Sequence, residues 1–334
     1  MSCPYSSTSG RPSIDRKVFV KQVSHAVLAA LAAVFFSLPC VGSADVHAPP
    51  GAAADGASVE KTNAYVGCIN RLSARAHASR DRYFSWVNAK TGPTGKERIV
   101  YGVYTIYDTA DCRDDVAKAN AIDPHDAPTE AAASAFVAAV TALEPLLKDA
   151  DDYYTQQDYK DDKMAKGKAL HAKLVAAWDA FDAADHALRE RVDAINDARA
   201  VAKLASIETS EGRHAHYFIE SLMIEAKRVV RAEDADKPDL DAIKSAVDAY
   251  EAASKGLEAA GGDGKVGSMF LGNVKTLLAT AKQLMRRIRD HVPYSDGDKM
   301  MINAGSGWMI EGSPQKLLRD YNALVDGYNS GAKI

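Results

Sequence analysis

The chain has 334 residues, with 41 Lys and Arg against 45 Asp and Glu, 47% hydrophobic residues and 26% charged ones. This balance is ordinary for a soluble globular protein, excludes a disordered or collagen-like chain, and allows one large or two modest hydrophobic cores. The net charge of -4 argues against nucleic acid and against anionic membrane surfaces as partners.

The first segment differs from the rest. Arg11, Arg16, Lys17 and Lys21 precede an apolar run from Ala26 to Leu38, which Pro39 breaks, and the small residues Gly42, Ser43 and Ala44 follow. A basic flank, an apolar run too short to span a bilayer and a small-residue site predict a signal peptide over 1–44, with a mature chain beginning near Asp45 and no membrane-spanning helix in it. Cys40 raises the question of lipidation. A lipobox has leucine three residues before the cysteine, whereas here Ser37-Leu38-Pro39 precede it, so ordinary cleavage near Ala44 is favoured over an acyl anchor. Loss of the leader removes more base than acid and makes the remainder more acidic. It also removes Cys3 and Cys40, leaving Cys68 and Cys112 as an even pair in an oxidising, periplasmic compartment, which predicts a disulfide.

His47 to Ala57 is rich in Ala, Gly and Pro without apolar periodicity, and reads as a flexible linker over 45–57. One helical domain over 58–334 is expected to follow. Its first helix carries Tyr65, Cys68, Ile69, Leu72, Ala76, Tyr83 and Val87 at helical spacing, and Thr91-Gly92-Pro93 should stop it. From Glu97 to Tyr107 β-branched and aromatic residues dominate and helix propensity is poor.

The disulfide sets a geometric condition on this stretch. Two straight helices leaving the Gly92–Gly95 turn would put Cys68 and Cys112 out of register by about 10 Å at 1.5 Å per residue. Because a disulfide tolerates Cα atoms only about 4.4–6.8 Å apart, the return leg must run extended between Lys96 and Val103.

Asp126-Ala127-Pro128-Thr129 starts the next helix, with Phe136, Val140, Leu143 and Leu147 on one face and Pro145 as a kink. A charged corner from Tyr153 to His171 joins it to the longest periodic segment, from Met164 to about Arg231. That segment is one helix, or two joined near Gly212, with Leu170, Leu174, Trp178, Phe181, Leu188, Val192 and Ile195 on its buried face. Asp236-Lys237-Pro238-Asp239 starts a further helix through Leu240, Ile243, Val247, Tyr250 and Leu257, which Gly261 to Gly264 end. Another runs from about Met269 to His291, with a basic end that suits the helix dipole. Pro293 to Gly312 reads as a Gly-rich loop whose Met300, Met301, Ile302, Trp308, Met309 and Ile310 fold over something. Ser313-Pro314 opens the last helix. The architecture expected is all-α, an elongated antiparallel bundle of long helices.

The run from Tyr153 to His171, followed by Leu174 and Phe181, resembles the signature of the YiiG family of bacterial envelope proteins, a domain of unknown function. A second similar block comprises Tyr83-Phe84-Ser85-Trp86-Val87, Gly92-Pro93-Thr94-Gly95-Lys96-Glu97 and Tyr101-Gly102, and the likeness runs from about Asn63 to about Tyr328. The resemblance implies an exported, mostly helical and often lipid-anchored protein, and supplies no catalytic residues.

Catalytic and metal motifs find little support. Gly92 to Glu97 lacks the spacing, the Ser or Thr after lysine and the preceding strand of a phosphate loop, so it reads as turn chemistry. The acidic cluster of Asp149, Asp151, Asp152, Asp158, Asp161 and Asp162 lacks the order of a calcium loop and is interleaved with lysines, so no metal is assigned. His214 and His216 face different ways on a helix, and Gly305-Ser306-Gly307 has no visible partner base. Tyrosine stands out, with 14 against 8 Phe, and in an envelope protein it suits boundary packing or recognition of a sugar or peptide.

The function expected is a non-catalytic exported interaction or binding module. Tyr153, Tyr154, Asp158, Tyr159, Asp161, Asp162 and Trp308 are its candidate contacts, an envelope protein or glycan its partner, and no cofactor is expected. A periplasmic small-molecule, glycan or metal-binding protein ranks second, and an enzyme acting on cell-wall material third.

Overall fold

A computed structural model describes residues 50–233, 237–261 and 267–331. The signal peptide, Cys40 and the first part of the linker lie outside these residues. Nine α-helices make up the described fold, and no strand occurs among the described residues, so the all-α expectation holds. The described chain divides into two compact units, one up to Arg199 and one from Ala200 onward.

The first unit holds α1 (Pro50–Phe84), α2 (Thr109–Asn120), α3 (Ala127–Thr155) and most of α4 (Ala165–Ser210). Helix α1 begins at Pro50, ahead of the expected start at Ser58, so 50–57 is helical and the linker reading fails there. Alanine needs no apolar partner to favour helix, and proline is well suited to a first helical position. The same helix ends at Phe84 rather than at Thr91. Just beyond it, the Asn88 carboxamide accepts hydrogen bonds from the Lys90 and Thr91 amides at 2.9 and 3.1 Å, a local alternative that competes with the helix.

Residues 93–108 contain no helix, which includes the break expected between Lys96 and Val103. Cys68 and Cys112 are bonded with their Cα atoms 5.3 Å apart. Apolar faces of all four helices form the core, where Tyr65, Ile69, Phe136, Leu143, Leu174, Trp178 and Phe181 are fully buried. Ile195, expected with them, is only half-buried. By length and composition α3 could cross a membrane, yet Phe136, Val140, Leu143 and Leu147 on its apolar face are core.

The second unit contains the end of α4, α5 (Ala215–Glu233), α6 (Leu240–Ala259), α7 (Ser268–Arg289), α8 (Asp296–Asn303) and α9 (Pro314–Gly331). The long central segment is therefore two helices, parted at Gly212, whose φ of 81° is left-handed and unfavourable for other residues. Ile219, Leu222, Tyr250, Leu277, Tyr321 and Leu324 meet in one core. Asp239 caps α6 by accepting from the amides of Asp241 and Ala242 at 2.9 and 3.3 Å.

The expected loop from Pro293 to Gly312 contains helix α8, started by a capping box between Ser295 and Asp298, and a 3-10 turn at Gly307–Met309. Its apolar content folds inward only in part: Ile310 is buried and Met301 and Ile302 are half-buried, while Met300, Trp308 and Met309 are exposed. Helix α8 is too short to bury a full face, so Met300 remains outside.

Candidate functional site

The charged corner is built as a lock. Left-handed Gln157, Lys163 and Met164 bend the chain, and the 3-10 turn Asp158–Lys160 lies between them. Asp162 then starts α4, accepting the amides of Ala165 and Lys166 at 3.1 and 2.8 Å and the Tyr153 hydroxyl at 2.7 Å. These bonds, with Lys166 foremost, hold its carboxyl below the usual range. A Cβ on Gly167 would stand 2.7 Å from Met164 Sδ and 3.0 Å from Tyr154 Oη, so any larger residue here must displace the Met164 side chain.

Of the candidate contacts, Tyr153 and Tyr154 are buried, Tyr159 and Asp162 half-buried, and Asp158 and Asp161 exposed. Trp308 is exposed in the other unit. Burial, followed by the Asp162 contact for Tyr153 and by Tyr83 for Tyr154, pushes both hydroxyls up. Neither tyrosine presents a ring to a ligand. Among the described residues no group of three or more His, Cys, Asp or Glu is arranged to hold a metal.

Tyr83 lies at the centre of the aromatic packing, with its ring centroid 5.3 Å from Trp178, 5.5 Å from Trp86 and 5.9 Å from His171. His171 Nε2 donates to the Ala89 carbonyl at 3.2 Å, which leaves Nδ1 to accept from the Tyr83 hydroxyl at 3.0 Å. Burial raises the Tyr83 hydroxyl to about 12. The glycine turn beside this cluster binds its own anion. Glu97 accepts from the Thr94 hydroxyl and the Gly95 amide, both at 2.8 Å, and also from the Thr94 amide. Burial works against its charge, but these bonds outweigh burial and lower its pKa.

From this turn the chain returns along α1 as an extended strap, residues 96–107. Ser79 Oγ donates to the Tyr104 carbonyl at 2.6 Å and accepts the Tyr104 amide at 3.1 Å, as a neighbouring strand would. Arg75 donates to the Thr105 carbonyl at 3.1 Å, Arg82 to Tyr101 at 2.8 Å and Trp86 to Gly102 at 3.0 Å. Positions 75, 79 and 82 share one helix face, and their order opposes that of their partners, so the strap runs antiparallel to α1. The Tyr104 ring lies between two guanidinium groups, 4.1 Å from Arg75 and 4.5 Å from Arg82.

Val103 and Ile106 point into the core, while Ile99, Tyr101 and Tyr107 are 49%, 47% and 63% exposed. Ser85, Trp86, Glu97, Arg98, Ile99 and Tyr101 line a shallow depression of about 270 Å³. No main-chain to main-chain hydrogen bond joins residues 96–107 to any other described residue. The sequence placed an extended leg here, but its Ile99, Val100, Tyr101 pattern was not taken as a contact surface. The alternation itself was the available signal.

Sequence reasoning also missed a polar layer between α1 and α4. His77 contacts Asp182 through Nδ1 and Asp185 through Nε2, both at 3.3 Å. Ser73 donates to Asp185 at 2.5 Å and Arg189 at 2.9 Å. Arg80 meets Asp182 at 2.9 Å. Burial pulls the His77 pKa down, but its hydrogen bonds and charge contacts with the two aspartates outweigh that and raise it. A second such pair anchors the start of α3. There buried Lys61 engages Glu130 and the Ile122 carbonyl at 3.0 Å, and Lys61, then His125, hold Glu130 down at about 2.

Fold and surface together define an all-α protein whose first helix is clamped by one disulfide and overlaid by an extended, aromatic strap. The chain belongs to the family described as protein of unknown function (DUF3829), which it matches over residues 57–330. It is 38% identical over 278 residues to the uncharacterized protein YiiG of Escherichia coli (strain K12), covering 81% of this chain and 78% of that protein. No solved structure matches it.

Proposed function

We propose that this chain is a non-catalytic, exported interaction module of the bacterial cell envelope, and that the strap is its contact surface for a polypeptide partner. The observation that carries this reading is the exposure of Ile99, Tyr101 and Tyr107 on one segment, held along α1 by Arg75, Ser79 and Arg82 and just beyond its end by Trp86. Isolated exposed apolar residues are commonplace. Three on one positioned extended segment, with Trp86 beside it, have the aromatic composition of an interface. A polypeptide fits better than a glycan, because aliphatic Ile99 offers a sugar little, and because the main-chain groups of 96–107 that no side chain holds have no main-chain partner among the described residues and could pair with a partner chain.

The test is photo-crosslinking in the native host from a benzoylphenylalanine at position 101 or 107, with position 158 on the exposed corner as control. A discrete adduct from the strap, lost in Ile99→Ser on an unchanged melting curve, supports the reading. Equal adducts from the control, or binding only to isolated polysaccharide, overturn it.

A further inference from the structure

The end of the second unit formed by the last turn of α7 and the excursion that follows combines two properties seldom found together on a protein surface. Val292, Met300, Trp308 and Met309 are 48%, 70%, 43% and 58% exposed, and α8 packs against the turn that carries Trp308 and Met309. Beside them a cleft of about 290 Å³ is lined by Gln283, Arg286, Arg287, Asp290, Val292 and the Glu311–Gly312 corner.

Four of the acids at this end are already paired with cations, and Asp298 is held in the capping box of α8. Asp290 pairs with Arg289 at 2.7 Å, Asp296 with Lys299 at 2.9 Å, Glu311 with Lys316 at 3.5 Å and Asp320 with Arg319 at 2.7 Å. Arg286 and Arg287 have no carboxylate partner among the described residues. Arg287 spends its donors on the carbonyls of Val292, Pro293 and Glu311 at 3.2–3.4 Å, which fixes its position without cancelling its charge. Arg286 is exposed, and among the described residues its side chain has no ion-pair partner.

We infer that this end docks on an anionic phospholipid surface, with a headgroup phosphate at Arg286 and Arg287 while Trp308, Met300 and Met309 enter the headgroup and acyl boundary. Charge complementarity selects the surface. The chain is acidic as a whole, but screening confines attraction to about 8–10 Å, so the local uncompensated cations decide the encounter. Tryptophan is suited to the interfacial depth, with an apolar ring and a polar N–H, and the arginine stems can lie along the apolar side while their heads remain at the phosphates. Exposed thioethers cost little to transfer and adapt to irregular neighbours.

The experiment uses the protein recovered from its native envelope, carrying Cys40→Ser so that no acyl chain contributes. Vesicles of phosphatidylglycerol with phosphatidylethanolamine are compared with vesicles of phosphatidylcholine, using brominated acyl chains to quench tryptophan. Quenching in the anionic vesicles that disappears with Trp308→Phe is expected. Arg286→Gln should weaken vesicle affinity about fivefold, the worth of one basic residue at such a surface. Met309→Asp should also weaken it, and both positions are exposed, so melting curves should be unchanged. The proposal is overturned if quenching is absent, if it is equal in phosphatidylcholine, or if it persists in Trp308→Phe. Binding of inorganic phosphate without vesicle binding would replace the lipid by a free anion and overturn it too.

Discussion

At the residue scale, burial decides which side chains matter. Trp178 is 0% exposed and packs against Tyr83 and Phe84. Trp178→Ala should lower unfolding free energy by about 3–5 kcal/mol, read by denaturant titration; a loss under 1 kcal/mol would mean that the core closes around the gap. His77 makes stability depend on pH. Its folded pKa is raised by Asp182 and Asp185, so the folded state binds the proton more tightly than the unfolded one. The stabilisation is complete below about 6.5 and disappears as pH rises through the folded pKa. The melting difference between the native protein and His77→Gln should shrink across that window, and a pH-independent difference would contradict the assignment. Glu233 shifts stability in the same direction with pH, but because its charged form is disfavoured in the fold. It is 4% exposed, neither carboxyl oxygen has a hydrogen-bond partner among the described residues, and burial raises its pKa to about 9. The unfolded carboxyl ionises near 4.5, so stability falls as pH rises from there toward 9. Glu233→Gln should gain on the order of 3 kcal/mol at pH 7, and the gain should vanish below pH 4.

At the element scale, the strap and disulfide solve one problem of length. From Arg75 to Arg82 a helix advances about 10 Å, and an extended chain covers a similar distance from Thr105 to Tyr101 in about four steps. The return leg thereby brings Cys112 level with Cys68. The bond closes a sequence separation of 44 residues, and its removal by Cys68→Ala with Cys112→Ala should cost about 4 kcal/mol, mostly by freeing the unfolded chain. Titration of the denatured, unreduced protein should find neither of these thiols free. The corner is the other critical junction. Alanine normally favours a helix over glycine, yet Gly167→Ala should destabilise by about 1–3 kcal/mol because Met164 and the two tyrosines occupy the space. A neutral or stabilising result would show that Met164 simply swings aside.

At the scale of the whole molecule, the division into two units at Arg199 falls within α4. The expectation of export belongs at this scale as well. It rests on the basic flank, apolar run and small residues of 1–44, and it predicts an intact mass beginning near Asp45 for the protein taken from its envelope. An acylated N-terminus at Cys40 would instead place an anchor there.

What the sequence by itself determined is what local rules govern. Apolar spacing located α3, α4, α6, α7 and α9, the Ser313-Pro314 and Asp239 starts followed from capping, and the register of Cys68 and Cys112 required an extended return because rise per residue is fixed for each conformation. Local rules also failed where two outcomes were locally similar. Tyr153 and Tyr154 read equally well as surface or core, and only packing against Tyr83, Met164 and Gly167 buried them. Tyr101 and Trp308 carry the same aromatic signal and are exposed, because a strap already stapled to α1 and a single 3-10 turn have no second layer to cover them. The His77, Asp182 and Asp185 layer was invisible for the same reason. Its members lie more than 100 positions apart, and a charge reads as solvated until a tertiary contact withdraws it from water.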